Sequence, residues 1–124
     1  MRGDNIAMRL RALAVQIIRI GRKLPKNDFA AKHIERQLVR SATAGGANYE
    51  EARGAESRAD FIHKVGIANK EVRETVYWLR LIDEASLVEC DVATQLREAN
   101  ELVAILTASI KTAKRHAPSS ENRE

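Results

Sequence analysis

The chain has 124 residues, 44% of them hydrophobic and 31% charged, with a formal net charge of +4 and one cysteine. That length suits one domain around one core, and a lone cysteine excludes an internal disulfide and a cysteine-rich zinc site. No apolar run approaches the roughly 18 residues of a membrane span, and charges stand where a signal peptide would have its apolar segment, so the expected location is cytoplasmic.

Two prolines and few aromatics fit helices better than sheets, so the expected class is all-α. The first predicted helix begins at Asp4 or Asn5, either of which can accept a hydrogen bond from the first turn. Ile6, Leu10, Leu13, Ile17 and Leu24 form its apolar stripe, with Ala14 and Ile20 at the edges. At roughly 100° per residue, Arg11, Arg19, Arg22, Lys23 and Lys26 share an arc of about 120° on the other side, with Arg9 beside it. Pro25 ends the segment by disfavouring helical geometry at Leu24, and Asn27 or Asp28 caps the next.

The second predicted helix runs to about Arg53. Ala31, Ile34, Leu38, Ala42, Gly45, Tyr49 and Ala52 recur every three or four residues along it, so one face carries apolar and small side chains. Gly45 and Gly46 each weaken a helix by roughly 1 kcal/mol relative to alanine and so need a reason. One is contact, since without Cβ atoms a partner helix can come closer than the usual roughly 8–10 Å; the other is a loop that splits the helix. The unbroken apolar phase and the absence of a nearby proline favour contact. Lys32, Arg36 and Arg40 form a second basic row on the outward side.

Gly54 is placed as a left-handed C-terminal residue, and Ser57-Arg58-Ala59-Asp60 reads as a capping box with Asp in place of Glu. Phe61, Val65, Ala68, Val72, Thr75, Val76, Leu79 and Ile82 then give a third helix near-heptad spacing. Its second face carries Ile67, Trp78 and Leu81, interleaved with Glu71 and Glu74. A helix apolar on two sides in so small a chain predicts a homo-oligomer interface there.

After the connection Ala85–Glu89, Asp91 caps a last helix in which Val92, Leu96, Ala99, Val103, Leu106, Ile110 and Ala113 alternate steps of four and three. Cys90 reads as a small apolar residue or a bystander at that helix start, with a reactive thiol the less favoured reading. Residues 118–124 are polar and read as a disordered tail after a bundle spanning 1–117. Four helices with short connections predict an antiparallel up-down-up-down four-helix bundle.

The chemistry is sparse. A di-iron bundle site needs two Glu-x-x-His motifs, and the sequence offers only the partial match Asp60-x-x-His63. His33, His63 and His116 lie on separate segments without i, i+4 pairing, so no metal is expected. Gly45-Gly46 lacks the Lys-Ser/Thr of a phosphate loop, and no nucleophile has an identifiable base, so no cofactor and no enzyme activity are expected. Glu51, Glu71 and Glu74 read as buried carboxylates paired with Arg40, Arg53 or Arg73.

Taken together, Gln37 to Ala52, Ala55 to Ala68 and Lys70 to Ile82 resemble the bacterial four helix bundle family encoded in intervening sequences of 23S ribosomal RNA. The accessory variability proteins of diversity-generating retroelements are similar, and the likeness spans roughly residues 5–115. It implies a ring-like homopentamer of antiparallel bundles without known catalytic activity. For the retroelement branch it also implies a basic surface that binds nucleic acid and a reverse transcriptase. Gln37, Arg40, Asn48, Glu51, Phe61, Glu71, Glu74 and Trp78 match the family motif, with structural roles. Many members have Glu-Gly where this chain has Glu51-Ala52, so it lacks that glycine's backbone freedom.

Residues 1–40 hold ten Lys/Arg against three Asp/Glu, whereas the remainder is slightly acidic. Arg9, Arg11, Arg19, Arg22, Lys23, Lys26, Lys32, Arg36 and Arg40 are therefore the expected nucleic-acid-binding residues. The competing expectation is an assembly or adaptor module whose charges serve solubility alone. Stacking aromatics are scarce, so sequence-specific readout is not expected.

Overall fold

The structure is a computed structural model that describes residues 2–116, so the expected tail at 118–124 lies outside the described residues. It contains α1 (Arg2–Lys23), α2 (Phe29–Arg53), α3 (Arg58–Glu84) and α4 (Ala93–Arg115), with no strand among the described residues. Each helix packs against its neighbours in sequence and α4 packs against α1, while the pairs α1/α3 and α2/α4 stay apart. One apolar cluster runs through all four, including Leu10, Ile17, Leu38, Val65, Leu79, Leu102 and Leu106.

Local chemistry sets most helix ends. Asp28 Oδ1 accepts from Ala31 N–H at 2.9 Å and starts α2. Ser57 Oγ accepts from Asp60 N–H at 3.0 Å and starts α3, and the Asp60 carboxylate accepts in turn from Glu56 N–H, a capping box displaced by one residue. Three expectations change. Helix α1 already includes Asp4 and Asn5, so neither caps it, and Asp4 instead supplies negative charge to the first turn. Gly54 closes α2 with φ −98°, outside the left-handed region. Asp91 Oδ1 accepts from Ala93 N–H at 2.9 Å, although Val92 is the residue at the α4 boundary.

The glycine pair lies within an unbroken α2, and its two members face different helices. A Cβ built on Gly45 would meet Val72 Cγ2 of α3 at 3.0 Å, whereas one on Gly46 would meet Leu10 Cβ of α1 at 3.8 Å. Adjacent positions on a helix point roughly 100° apart, which is how one dipeptide serves two neighbours. Beside Gly45, Ser41 and Thr75 are fully buried and their hydroxyls lie 2.8 Å apart across the α2–α3 seam. Backbone acceptors stand ready for both: Leu38 O for Ser41 and Glu71 O for Thr75. Each hydroxyl has one proton, so one donates across the seam while the other donates to its own helix.

Helix α4 buries a different stripe from the one its 4-3 pattern suggests. Val92, Ala99, Leu106 and Ala113 are buried as expected, but Leu102 is fully buried while Leu96, Val103 and Ile110 are only partly so. The helix lies between α3 and α1, so the centre of its apolar face follows both neighbours, and Leu102 fits the same spacing as Val103.

The two glycines should therefore respond to alanine with opposite signs. Val72 is buried and β-branched, with little rotamer freedom in a helix, so Gly45→Ala forces α2 and α3 apart. The overpacking outweighs the gain in helix propensity and costs about 1 kcal/mol net. Gly46→Ala enters an ordinary contact and should stabilise by about 0.5–1 kcal/mol. Urea unfolding of both variants reads the difference.

Candidate nucleic-acid interface

The nine basic residues expected to bind nucleic acid divide into two sets. Arg9 is held by α4: Nε and Nη2 donate to the two Glu98 carboxylate oxygens at 2.8 Å each, and Nη2 also donates to Glu101 at 2.5 Å. The hydrogen bonds to Glu98 and Glu101 raise the Arg9 pKa, and Arg9 in turn holds the Glu98 carboxyl below the usual range. Arg40 is held by α3, with Nη1 donating to Glu71 at 3.1 Å and Nη2 to Glu74 at 2.5 Å. Arg9 was expected on a free basic face, and Arg40 was read both as part of that face and as a partner for Glu71 or Glu74. The structure instead makes them clasps between helices, because each projects from the edge of its helix toward carboxylates on the next.

The other seven, Arg11, Arg19, Arg22, Lys23, Lys26, Lys32 and Arg36, are exposed and have no ion-pair partner among the described residues. Arg11 stands apart, bordering a groove between α1 and α2 with Thr43, Gly46 and Glu50. The remaining six fall within residues 19–36, the end of α1 and the start of α2, where only Asp28 and Glu35 are acidic. Lys26 from the first row and Lys32 and Arg36 from the second line one open cleft of about 440 Å³ with Asn27 and Phe29. Of the first row, Lys26 alone lines that cleft, whereas Arg19 and Lys23 line another with Cys90, Asp91 and Gln95.

Phe29 is the residue that sequence reasoning missed. It is 89% exposed in the middle of these cations. The signal was available: Phe29 lies two positions before Ala31, roughly 200° from the buried stripe of α2.

Five of the eight residues matched by the resemblance gather elsewhere, on the α2–α3 seam. Gln37 Oε1 accepts from Arg40 Nε at 3.3 Å, and Trp78 Nε1 donates to Glu74 at 2.9 Å, so Gln37, Arg40, Glu71, Glu74 and Trp78 form one network bridging α2 and α3. Arg40 holds the Glu74 carboxyl below the usual range, with Trp78 contributing less. The pairing of Glu71 and Glu74 with Arg40 agrees with the sequence reading. Glu51 does not fit it, being exposed and 3.7 Å from Lys64. Asn48 turns back to donate to Ala44 O at 2.8 Å within its own helix. Of the expected interface residues, Ile67 and Leu81, like Glu71, Glu74 and Trp78, are each left half-buried.

At the opposite end, Arg2, Tyr49, Arg53, Phe61 and Thr112 help line an open cleft of about 410 Å³, in which burial pushes the Tyr49 phenol up and Arg53 pairs with Asp4. His33, His63 and His116 are exposed, and among the described residues no three His, Cys, Asp or Glu side chains converge as a metal site. Cys90 is a half-buried free thiol beside Arg19 and Lys23. No helix among the described residues is long and apolar enough to cross a membrane.

The sequence profile of the 23S rRNA-intervening sequence protein family matches residues 5–108. A crystal structure of a protein of unknown function from Bacteroides thetaiotaomicron, of the S23 ribosomal protein family, is similar with 33% identity and a TM-score of 0.79. That match covers 90% of this chain and 99% of the other. No curated protein matches.

The two clasps set an acid limit on stability. Glu74 and Glu98 both have lowered folded-state pKa values, so their contribution is present above the ordinary glutamate range and is lost as pH falls through the lower folded values. Denaturation midpoints should fall on acidification below about pH 4.5. Both pairs are partly solvated, so Arg9→Ala or Glu98→Gln should each cost only about 1 kcal/mol at neutral pH and leave a shallower acid dependence.

Proposed function

The chain belongs to the 23S rRNA-intervening sequence protein family, and from that premise we propose that it is a non-enzymatic, oligomeric nucleic-acid-binding protein. Its bundle is antiparallel and up-down-up-down, and it acts through the cationic end formed by α1 and α2. One observation carries this reading: six exposed lysines and arginines at residues 19–36 have no ion-pair partner among the described residues, while Arg9 and Arg40 have theirs. Cations without internal partners at one end of a bundle suit a polyanion, whose counterions they release on binding. The expected partner is structured RNA, or a nucleoprotein complex such as one built on a reverse transcriptase.

Assembly makes the patch effective. The half-open α3 face with Ile67, Trp78 and Leu81 is the proposed interface, and a ring-like homopentamer would repeat the cationic end five times. Repetition raises avidity through local concentration without adding contacts. The competing reading is an adaptor whose charges serve solubility. It lacks an observation of its own, because scattered surface charge would serve solubility equally well.

Binding to a structured RNA should weaken steeply between about 50 and 200 mM salt. The double variant Lys32→Glu/Arg36→Glu should bind at least about tenfold more weakly with a shallower salt slope, while its melting curve stays close to the parent's. An unchanged affinity would favour the adaptor. Light scattering should give a mass several times that of one chain, and Trp78→Ala or Leu81→Asp should reduce it.

A further inference from the structure

Phe29 is the most exposed large apolar side chain among the described residues, at 89% against 58% for Met8 and 55% for Tyr77. A single exposed apolar residue is ordinary on a protein surface, so its neighbours decide whether it has a use. Tyr77 stands edge-on to Trp78 at 5.0 Å, and Trp78 edge-on to His33 at 5.7 Å. Phe29 has no ring partner among the described residues, and its cleft is lined by Lys26, Asn27, Lys32 and Arg36, with the Glu35 side chain lining an adjoining cleft beside Lys32 and Arg36.

This surrounding limits what can cover the ring. An apolar protein surface placed there would desolvate three cations without pairing them, which is unfavourable. A duplex offers the phosphates but keeps its base faces stacked inside. A ligand that fits has a flat aromatic face with negative charge on either side of it, and an unpaired nucleotide within a strand has both. Unpaired bases in loops and bulges are the usual targets of RNA-binding side chains.

We propose that Phe29 is a stacking platform for an unpaired base of single-stranded RNA, with Lys26, Lys32 and Arg36 holding the flanking phosphates. This rests on the nucleic-acid reading above and narrows it to strands or loops with accessible bases. The ring supplies affinity without base identity, since every base has a π-face. Asn27, at the rim of the cleft, has both donor and acceptor groups suited to a base edge.

The test uses the full chain with a mixed-sequence single-stranded RNA of about a dozen nucleotides and a blunt RNA duplex of the same sequence, at one fixed salt concentration. Phe29→Ala and Phe29→Leu should weaken single-strand binding by about 5- to 100-fold, the range that stacking one base on an aromatic side chain supplies. Phe29→Trp should retain it, with quenching of added tryptophan emission on binding, and duplex affinity should stay within about twofold in all three. Equal single-strand affinity in Phe29→Ala, or an equal loss on both RNAs, would overturn the proposal. So would a change in assembly mass, which would place the ring between subunits. If the parent binds RNA and Lys32→Glu/Arg36→Glu does not, while Phe29→Ala binds as the parent does, only the stacking idea fails. If the parent binds neither RNA, the broader reading fails with it.

Discussion

The arrangement of this chain depends on how closely α2 is approached from two sides. Gly45 lets the Val72 side chain of α3 come to the helix surface, and Gly46 leaves ordinary room for Leu10 of α1. A Cβ at Gly45 would meet Val72 Cγ2 at 3.0 Å and push it back by a few tenths of an ångström, a shift that the buried contacts around it resist. The Ser41 and Thr75 hydroxyls lie 2.8 Å apart, so one donates to the other, and both are sealed from water. Each also has a carbonyl of its own helix to donate to, so slippage along the seam forfeits the one cross-helix hydrogen bond, about 0.5–1.5 kcal/mol.

Arg40 reads the same register at the surface. It lies one residue before Ser41 and reaches Glu71 and Glu74, one turn apart on α3, while Trp78 grips Glu74 from the next turn. Partly solvated ion pairs contribute little stability on their own, roughly 0–1 kcal/mol each. What the network adds is selectivity among registers, because a shift of one turn would leave Arg40 facing different residues. Gln37, Arg40, Glu71, Glu74 and Trp78 are thus neighbours in space along the α2–α3 seam.

Charge follows the same division. Arginines at the edge of a helix meet carboxylates on the next one, as Arg9 meets Glu98 and Glu101, and so become part of the packing. The cations near the α1–α2 connection meet none among the described residues. Three of them, Lys26, Lys32 and Arg36, stand together around an aromatic ring that the core does not use.

Much of this was legible in residue order. The stripes of α1 and α2, the stop at Pro25, the Asp28 and Ser57 caps and the continuity of α2 through two glycines follow from helical period and short-range hydrogen bonding. These are interactions among residues at most a few turns apart, so one chain segment contains all the information. The burial of Leu102 in place of Val103 and the capture of Arg9 by α4 were not legible in that way. Arg9 and Glu98 are 89 residues apart, and whether they meet depends on the relative rotation and register of two helices. Period fixes which face of a helix is apolar; only packing against particular neighbours decides which residue at the edge of that face is buried, paired or left to solvent.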